Sequence, residues 1–235
     1  MINPAEEFLS PRLKAVHDMA VEDMEDAPSR RIIDVGSDHG HLALYSLIND
    51  NFASAVLTDI HKAPAMRSED TLRMYGYAGR SEVYCTDGLD GVALKKGDIV
   101  VMAGLGGNNM IDIMTRVLER EDKEFLKTIT WVLQPQKSSD RLRVFLFENG
   151  FNIVDENSSE DRGLYYLIIK AVYTGIKTSY TLKQKYYGPV ILRRIADGEP
   201  VVLGYKERLD KRFELSKRGD EEIKKMLEEI SDEQN

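Results

Sequence analysis

Five short segments hold the residues that could do chemistry, and each follows a brief apolar run. The first, Asp34-Val35-Gly36-Ser37-Asp38-His39-Gly40, puts two carboxylates and an imidazole into one turn. A dinucleotide fingerprint, Gly-x-Gly-x-x-Gly, needs its second glycine so that a pyrophosphate can approach backbone at a helix amino terminus. Asp38 stands at that position, and its carboxylate would repel both phosphates. A sulfonium ligand carries positive charge and no phosphate, so Asp34 and Asp38 would attract it while Gly36 and Ser37 form the turn beneath it. The segment therefore suits S-adenosylmethionine. Its plain alternative is a strand-to-helix turn with a capping aspartate.

The second segment, Leu57-Thr58-Asp59-Ile60, places Asp59 25 residues after Asp34, the spacing at which an acidic residue on the neighbouring strand accepts from ribose hydroxyls. Asp59 and Ile60 are assigned to the cofactor. In Cys85-Thr86-Asp87-Gly88-Leu89, Asp87 would accept from an adenine amino group and Gly88 would let the ring lie against backbone. Asp is also a common turn former at such junctions, so the order of the three counts for more than any one. The fourth segment, Ala103-Gly104-Leu105-Gly106-Gly107, exposes amides; Ala103 and Gly104 are assigned to the methyl donor, Gly106 and Gly107 to a flat substrate. No Lys-Ser or Lys-Thr follows, against a kinase-like phosphate loop. In the fifth, Gln134 and Pro135 would meet a base edge and Lys137 a phosphate.

These segments need a scaffold that brings strand ends together. Alternating apolar runs and amphipathic stretches predict strands at Ile32–Val35, Ala55–Thr58, Glu82–Thr86, Asp98–Ala103, Thr130–Gln134, Phe151–Glu156 and Leu164–Val172. Helices are expected at Pro11–Glu25, Leu42–Ile48, Ala63–Met74, Met110–Glu119 and Ser139–Glu148. The last two strands are separated only by the polar stretch Asn157–Gly163, too short for a crossover helix, so they should pair antiparallel. A seven-stranded α/β sheet, Rossmann-like and closed by an antiparallel last strand, is the outline of the class I S-adenosylmethionine-dependent methyltransferase fold. Residues 1–172 would form that domain. Residues 173–235 read as a helical hairpin or coiled coil: Thr181–Ala196, a turn at Asp197-Gly198-Glu199-Pro200, and Val201–Ile230, with a seven-residue spacing from Val202 to Ile230.

The net charge of -8, from 32 basic and 40 acidic residues, argues against a generally basic nucleic-acid binder. Its distribution changes that reading, because residues 171–218 hold 11 basic against 5 acidic groups. Arg12, Lys14, Arg193, Arg194, Lys206, Arg208, Lys211 and Arg212 are the candidate phosphate contacts, with solvated helix faces as the plain alternative. With 42% hydrophobic residues, a longest apolar run near Ile99 to Gly106 and no basic leader, a soluble cytoplasmic protein without a membrane span is expected. Cys85 is the single cysteine and no histidine spacing suggests a metal site.

In order, these segments resemble the bacterial tRNA (adenine-N1)-methyltransferases of the TrmK family. The resemblance runs over Pro11-Arg12-Leu13, the Gly-Ser-Asp-His turn, Asp87-Gly88-Leu89, Ala103-Gly104-Leu105-Gly106-Gly107, Leu133-Gln134-Pro135 and Glu148-Asn149-Gly150-Phe151. It implies a tRNA partner, methylation of adenine 22 in the D-arm with S-adenosylmethionine, and a helical carboxy-terminal domain. Asp38 and His39 are then the candidates for handling or orienting the N6 proton, in a monomer or weak dimer. Gln136 departs from the family's usual Asn, and Gly40 from its usual small apolar residue. Two other readings stay open on the residues alone: a methyltransferase for a small molecule, and a non-catalytic nucleotide-binding protein on the same sheet.

Overall fold

The computed structural model describes residues 9–22, 30–49 and 51–233. Seven strands form one sheet: β1 Arg31–Val35, β2 Ser54–Asp59, β3 Ser81–Cys85, β4 Ile99–Ala103, β5 Thr130–Gln134, β6 Phe151–Asp161 and β7 Leu164–Tyr173, in the order β3-β2-β1-β4-β5-β7-β6. The first five are parallel, and β7 inserts antiparallel between β5 and β6. The inner parallel strands β1, β2, β4 and β5 are largely apolar without alternation because both faces are covered, while edge strand β3 is mostly exposed. Ile33, Val35, Val100, Met102 and Trp131 point into one core, while Ile32, Ala55, Leu57, Val101 and Val132 point into the other.

Helices α1 Pro11–Val21, α2 His41–Ile48 and α3 Lys62–Met74 cover the second face; α4 Gly107–Arg120, α5 Lys123–Leu126 and α6 Ser139–Glu148 lie on the first. Ser10 caps α1 through its side chain, with Pro11 at the first turn. This helix ends at Val21, with Glu22 already extended, short of the predicted Glu25; residues 23–29 fall outside the described stretch. The short helix α5 was not predicted, since four residues carry too little periodicity.

Two expectations are corrected. The supposed loop Asn157–Gly163 is mostly strand: β6 runs to Asp161, and the reversal is made by Arg162 and Gly163 alone, with φ 53° and 76°. Two left-handed residues give the turn whose twist matches a tight hairpin. Polar Ser158 and Ser159 sit in the strand because both are buried, Ser159 under α1, where its Oγ donates to the Pro11 carbonyl at 3.2 Å, and Ser158 on the opposite face beside Leu167. The carboxy-terminal pair of helices is four: α7 Leu182–Tyr186, α8 Pro189–Ala196, α9 Pro200–Ser216 and α10 Glu221–Glu233. Gly188-Pro189 breaks the first, since proline has no N–H and favours a helix start. The second breaks after Ser216, and Asp220 Oδ1 accepts from Glu222 N and Ile223 N to start α10.

Val190, Ile191, Val202, Tyr205, Leu209 and Phe213 join the core on the first face, so the apolar stripe read as a seam packs onto the sheet. A fully buried ion pair anchors this packing. Arg143 Nε donates to Glu156 Oε1 at 2.7 Å, and Arg143 Nη1 donates to the Tyr186 carbonyl at 3.1 Å. Glu156 Oε2 accepts from Val190 N at 2.9 Å, at the start of α8.

Candidate active site

The crossover direction reverses between β1 and β4, and a crevice opens where the loops at their carboxyl ends part. Two adjoining cavities share Gly36 there. One, of about 490 Å³, is walled by Asp59, Ile60, Asp87, Gly88, Leu105 and one face of α4. The other, of about 270 Å³, is walled by Arg12, Asp34, Ser37, Asp38, His39 and Gly104. The fold thus brings together every residue assigned to a cofactor from the sequence, Ala103 included.

Local backbone explains the first turn. Asp38 adopts φ 47°, the left-handed conformation that the missing glycine would have taken and that Asp tolerates better than most residues. Gly40 has φ 69°, and a Cβ there would lie 3.0 Å from Leu57 and 3.3 Å from Ser68, which accounts for glycine in place of a small apolar residue. Asp38 is exposed and pairs with Arg67 at 2.6 Å, with His39 Nε2 3.7 Å from its other oxygen. His39 is half-exposed on the cavity wall.

Asp34 lies beneath this turn, buried, and burial with Asp59 nearby pushes its carboxyl up to about 7, against a backbone hydrogen bond from Ala43 that works the other way. Asp59 Oδ1 accepts from His61 N at 2.9 Å, and no ion pair engages Asp59 among the described residues. Ile60 is 58% exposed, an apolar side chain left beside the cavity. Asp87 is paired with Arg116 at 3.2 Å, which offsets part of its charge.

The fourth and fifth loops brace each other. Gly107 N donates to the Lys137 carbonyl at 2.9 Å, and a Cβ on Gly107 would stand 2.4 Å from the Ser138 oxygen, so only glycine allows that approach. Gly106 lies against the Lys137 stem. Gln134 is fully buried, with Oε1 accepting from Arg12 Nη1 and, at 3.1 Å, from Gly104 N. Its reach toward a substrate is therefore through Arg12, whose guanidinium also sits over the Tyr166 ring at 5.6 Å.

The remaining substrate candidates separate. Pro135, Lys137 and Arg208 line a third cavity beside α9. Arg193 and Lys211 are exposed on α8 and α9. Arg194 is held by Asp155 at 3.0 Å and Glu199 at 2.9 Å, which leaves it little capacity for a phosphate. Sequence reasoning missed the wall contributed by α4, where Asn109, Asp112, Ile113 and Arg116 share the face toward the cavity. Their spacing of three, four and seven was the available signal. His61 and His41, given no role from the sequence, also line the two cavities.

The family described as Methyltransferase domain matches residues 9–169. A tRNA (adenine(22)-N(1))-methyltransferase of Bacillus subtilis (strain 168) is 25% identical over 153 residues, 62% of this chain and 63% of the relative. The match thus spans just under two thirds of that relative's length. A Mycoplasma pneumoniae protein provisionally named a tRNA methyltransferase is 31% identical over 159 residues, 66% of this chain and 70% of the relative. A Streptococcus pneumoniae protein, provisionally a tRNA (m1A22) methyltransferase and solved with S-adenosyl-L-methionine, shares the fold with a TM-score of 0.75 at 23% identity, over 95% of this chain and 96% of that one. The sheet order, the crevice and the family match over residues 9–169 place the chain in the methyltransferase-domain family.

Proposed function

We propose that the chain is an S-adenosylmethionine-dependent methyltransferase acting on N1 of an adenine in tRNA, the D-arm adenine 22, in the cytoplasm. The observation that carries the reading is the carboxylate-lined crevice over the ends of β1, β2 and β3, with Asp59 free of an ion pair among the described residues. The donor set fits this cofactor: carboxylates for ribose hydroxyls and a cationic tail, an apolar wall for a flat ring, and an acidic residue where a pyrophosphate would need glycine. Bound there, the cofactor supplies an electrophilic methyl group. Asp59 accepts from the ribose hydroxyls, Asp87 and Gly88 meet the adenine edge, and Ile60 and Leu105 cover its faces. Asp34 and Asp38 favour the positive end.

Adenine N1 owns an in-plane lone pair, so the protein's task is to hold the unpaired base in line and exclude water. The glycine loop from Gly104 to Gly107 and Arg12, braced by Gln134, form that seat. His39 and Asp38 receive or orient the N6 proton as the ring gains charge. Arg193, Arg208 and Lys211 meet phosphates, with residues 173–235 as the RNA-binding segment beside the 1–172 catalytic domain. The names of the Bacillus and Mycoplasma relatives support the tRNA substrate. No helix among the described residues is long and apolar enough to cross a membrane.

The test incubates the protein with labelled S-adenosylmethionine and unmodified tRNA transcripts and maps reverse-transcription stops, since N1 methylation blocks the pairing edge. A stop at adenine 22 that disappears in Asp59→Ala is the expected result. A bound donor with no transfer to any tRNA would overturn the substrate assignment.

A further inference from the structure

The third cavity, of about 420 Å³, lies between the loop after β5, the start of β7 and helix α9. Lys137, Arg208 and Arg212 line it, and among the described residues no carboxylate does. Several cations elsewhere are neutralised in place: Arg31 by Asp98, Arg116 by Asp87 and Asp90, Arg143 by Glu156, Lys206 by Asp210. Among the described residues none of the three in the cavity has a carboxylate partner; Arg212 lies over the Phe213 ring, at 5.2 Å. Three cations left without an anion around one concavity are a site for anionic oxygens.

The cavity also has a half-buried aromatic wall, Tyr165 and Tyr166. Tyr165 is fixed from behind, because its ring lies where a Cβ on Gly204 would fall, 2.5 Å from Cζ. The wall made by α9 is held by Tyr205, which packs with the buried Arg143 and Glu156 pair. Tyr166 connects this cavity to the crevice, since it carries Arg12 on its ring and Arg12 lines the cavity of Asp34 and His39. Lys137 makes a second connection by lying against Gly106 of the glycine loop.

We infer that this cavity is a subsite for one nucleotide of the RNA strand adjacent to the methylated adenine, its phosphate held by Lys137, Arg208 and Arg212 and its base against Tyr165. A phosphate and a planar base one step from the reacting base match cations and aromatics one side chain from the crevice. This deepens the tRNA reading and rests on it. Anchoring the neighbouring nucleotide outside the crevice keeps the target base extruded while the glycine loop holds it.

The test measures affinity for an unmodified tRNA transcript across a range of salt concentrations, with methyl transfer and S-adenosylmethionine binding measured in parallel. Removing two of the three cations from that phosphate in Lys137→Ala/Arg208→Ala should reduce the slope of log affinity against log salt by about 0.7 to 0.9. Tyr165→Leu should weaken tRNA binding by roughly tenfold, and Tyr165→Phe should retain it. Cofactor affinity should stay unchanged in all three. Lys96→Ala, exposed in the loop before β4, serves as the charge control. A double variant with the wild-type slope, or Tyr165→Leu binding tRNA as the wild type does, overturns the subsite while wild-type transfer leaves the tRNA assignment standing. Absence of tRNA binding and transfer in the wild type overturns both.

Discussion

The crevice over β1 to β4 and the cavity beside α9 are lined with opposite charge, and each lies within one side chain of the glycine loop. In the crevice Asp59 has no ion-pair partner among the described residues, with buried Asp34 below it. Beside α9 Lys137, Arg208 and Arg212 have no carboxylate partner among the described residues. The net charge of -8 describes neither region. Recognition is set by where charges converge without a partner, because a paired charge has most of its field cancelled locally. Arg194 and Arg208 illustrate this on neighbouring helices: the first is held between Asp155 and Glu199, the second faces a cavity.

The largest expected effect would separate the two regions. Glu156→Ala leaves Arg143 buried without its carboxylate, which costs about 3 to 5 kcal/mol. Thermal unfolding should therefore fall by roughly 10 °C. Because Glu156 also takes the amide of Val190, tRNA affinity should drop with it, while cofactor affinity well below the transition stays near the wild-type value. An equal loss of cofactor binding would break the comparison.

Asp59→Ala is the complementary change. Loss of a carboxylate accepting two hydroxyls, at about 1.5 to 3 kcal/mol each, should weaken S-adenosylmethionine binding by about 100-fold or more in calorimetry. The salt dependence of tRNA binding should not move. Gly107→Ala acts between the regions, since the new Cβ meets the Ser138 oxygen and the loops after β4 and β5 must part. A destabilisation of about 1 to 3 kcal/mol is expected in denaturant unfolding, with a lower kcat and a smaller change in KM.

The smallest effect concerns Asp34, whose carboxyl burial raises from 3.8 to about 7. A raised acid contributes stability that is full below its unfolded value and is lost as pH rises through about 7, so the ligand-free protein should be more stable at pH 5 than at pH 8 on this account. A cationic ligand prefers the ionised form, and S-adenosylmethionine binding should tighten by up to about tenfold from pH 6 to pH 8. Asp34→Asn should flatten both profiles.

Much of this was legible in the sequence. All seven strands were placed within a few residues except the end of β6, because strands buried on both faces are dense in Ile, Val and Leu. The three aspartates at successive strand ends were legible for a related reason: polar residues that stop an apolar run mark the rim of the sheet. Ser158 and Ser159 were misread because buried polar residues look like a loop until what covers each face of the strand is known. The wall from α4 was overlooked because Asn109, Asp112 and Arg116 resemble an ordinary solvated helix face.

The sequence by itself determined the alternation of elements, the acidic turn that excludes a pyrophosphate, the glycine loop and the basic carboxy-terminal stretch, all of which depend on neighbours close along the chain. Only the tertiary structure decided which charges are free. Arg194 meets Asp155, Arg143 meets Glu156 and Arg12 meets Gln134 across 39, 13 and 122 residues of chain, and one-dimensional patterns do not encode such pairings. Nor could spacing reveal that the carboxy-terminal stripe packs on the sheet, since an apolar helix face is the same whether it covers another helix or a strand.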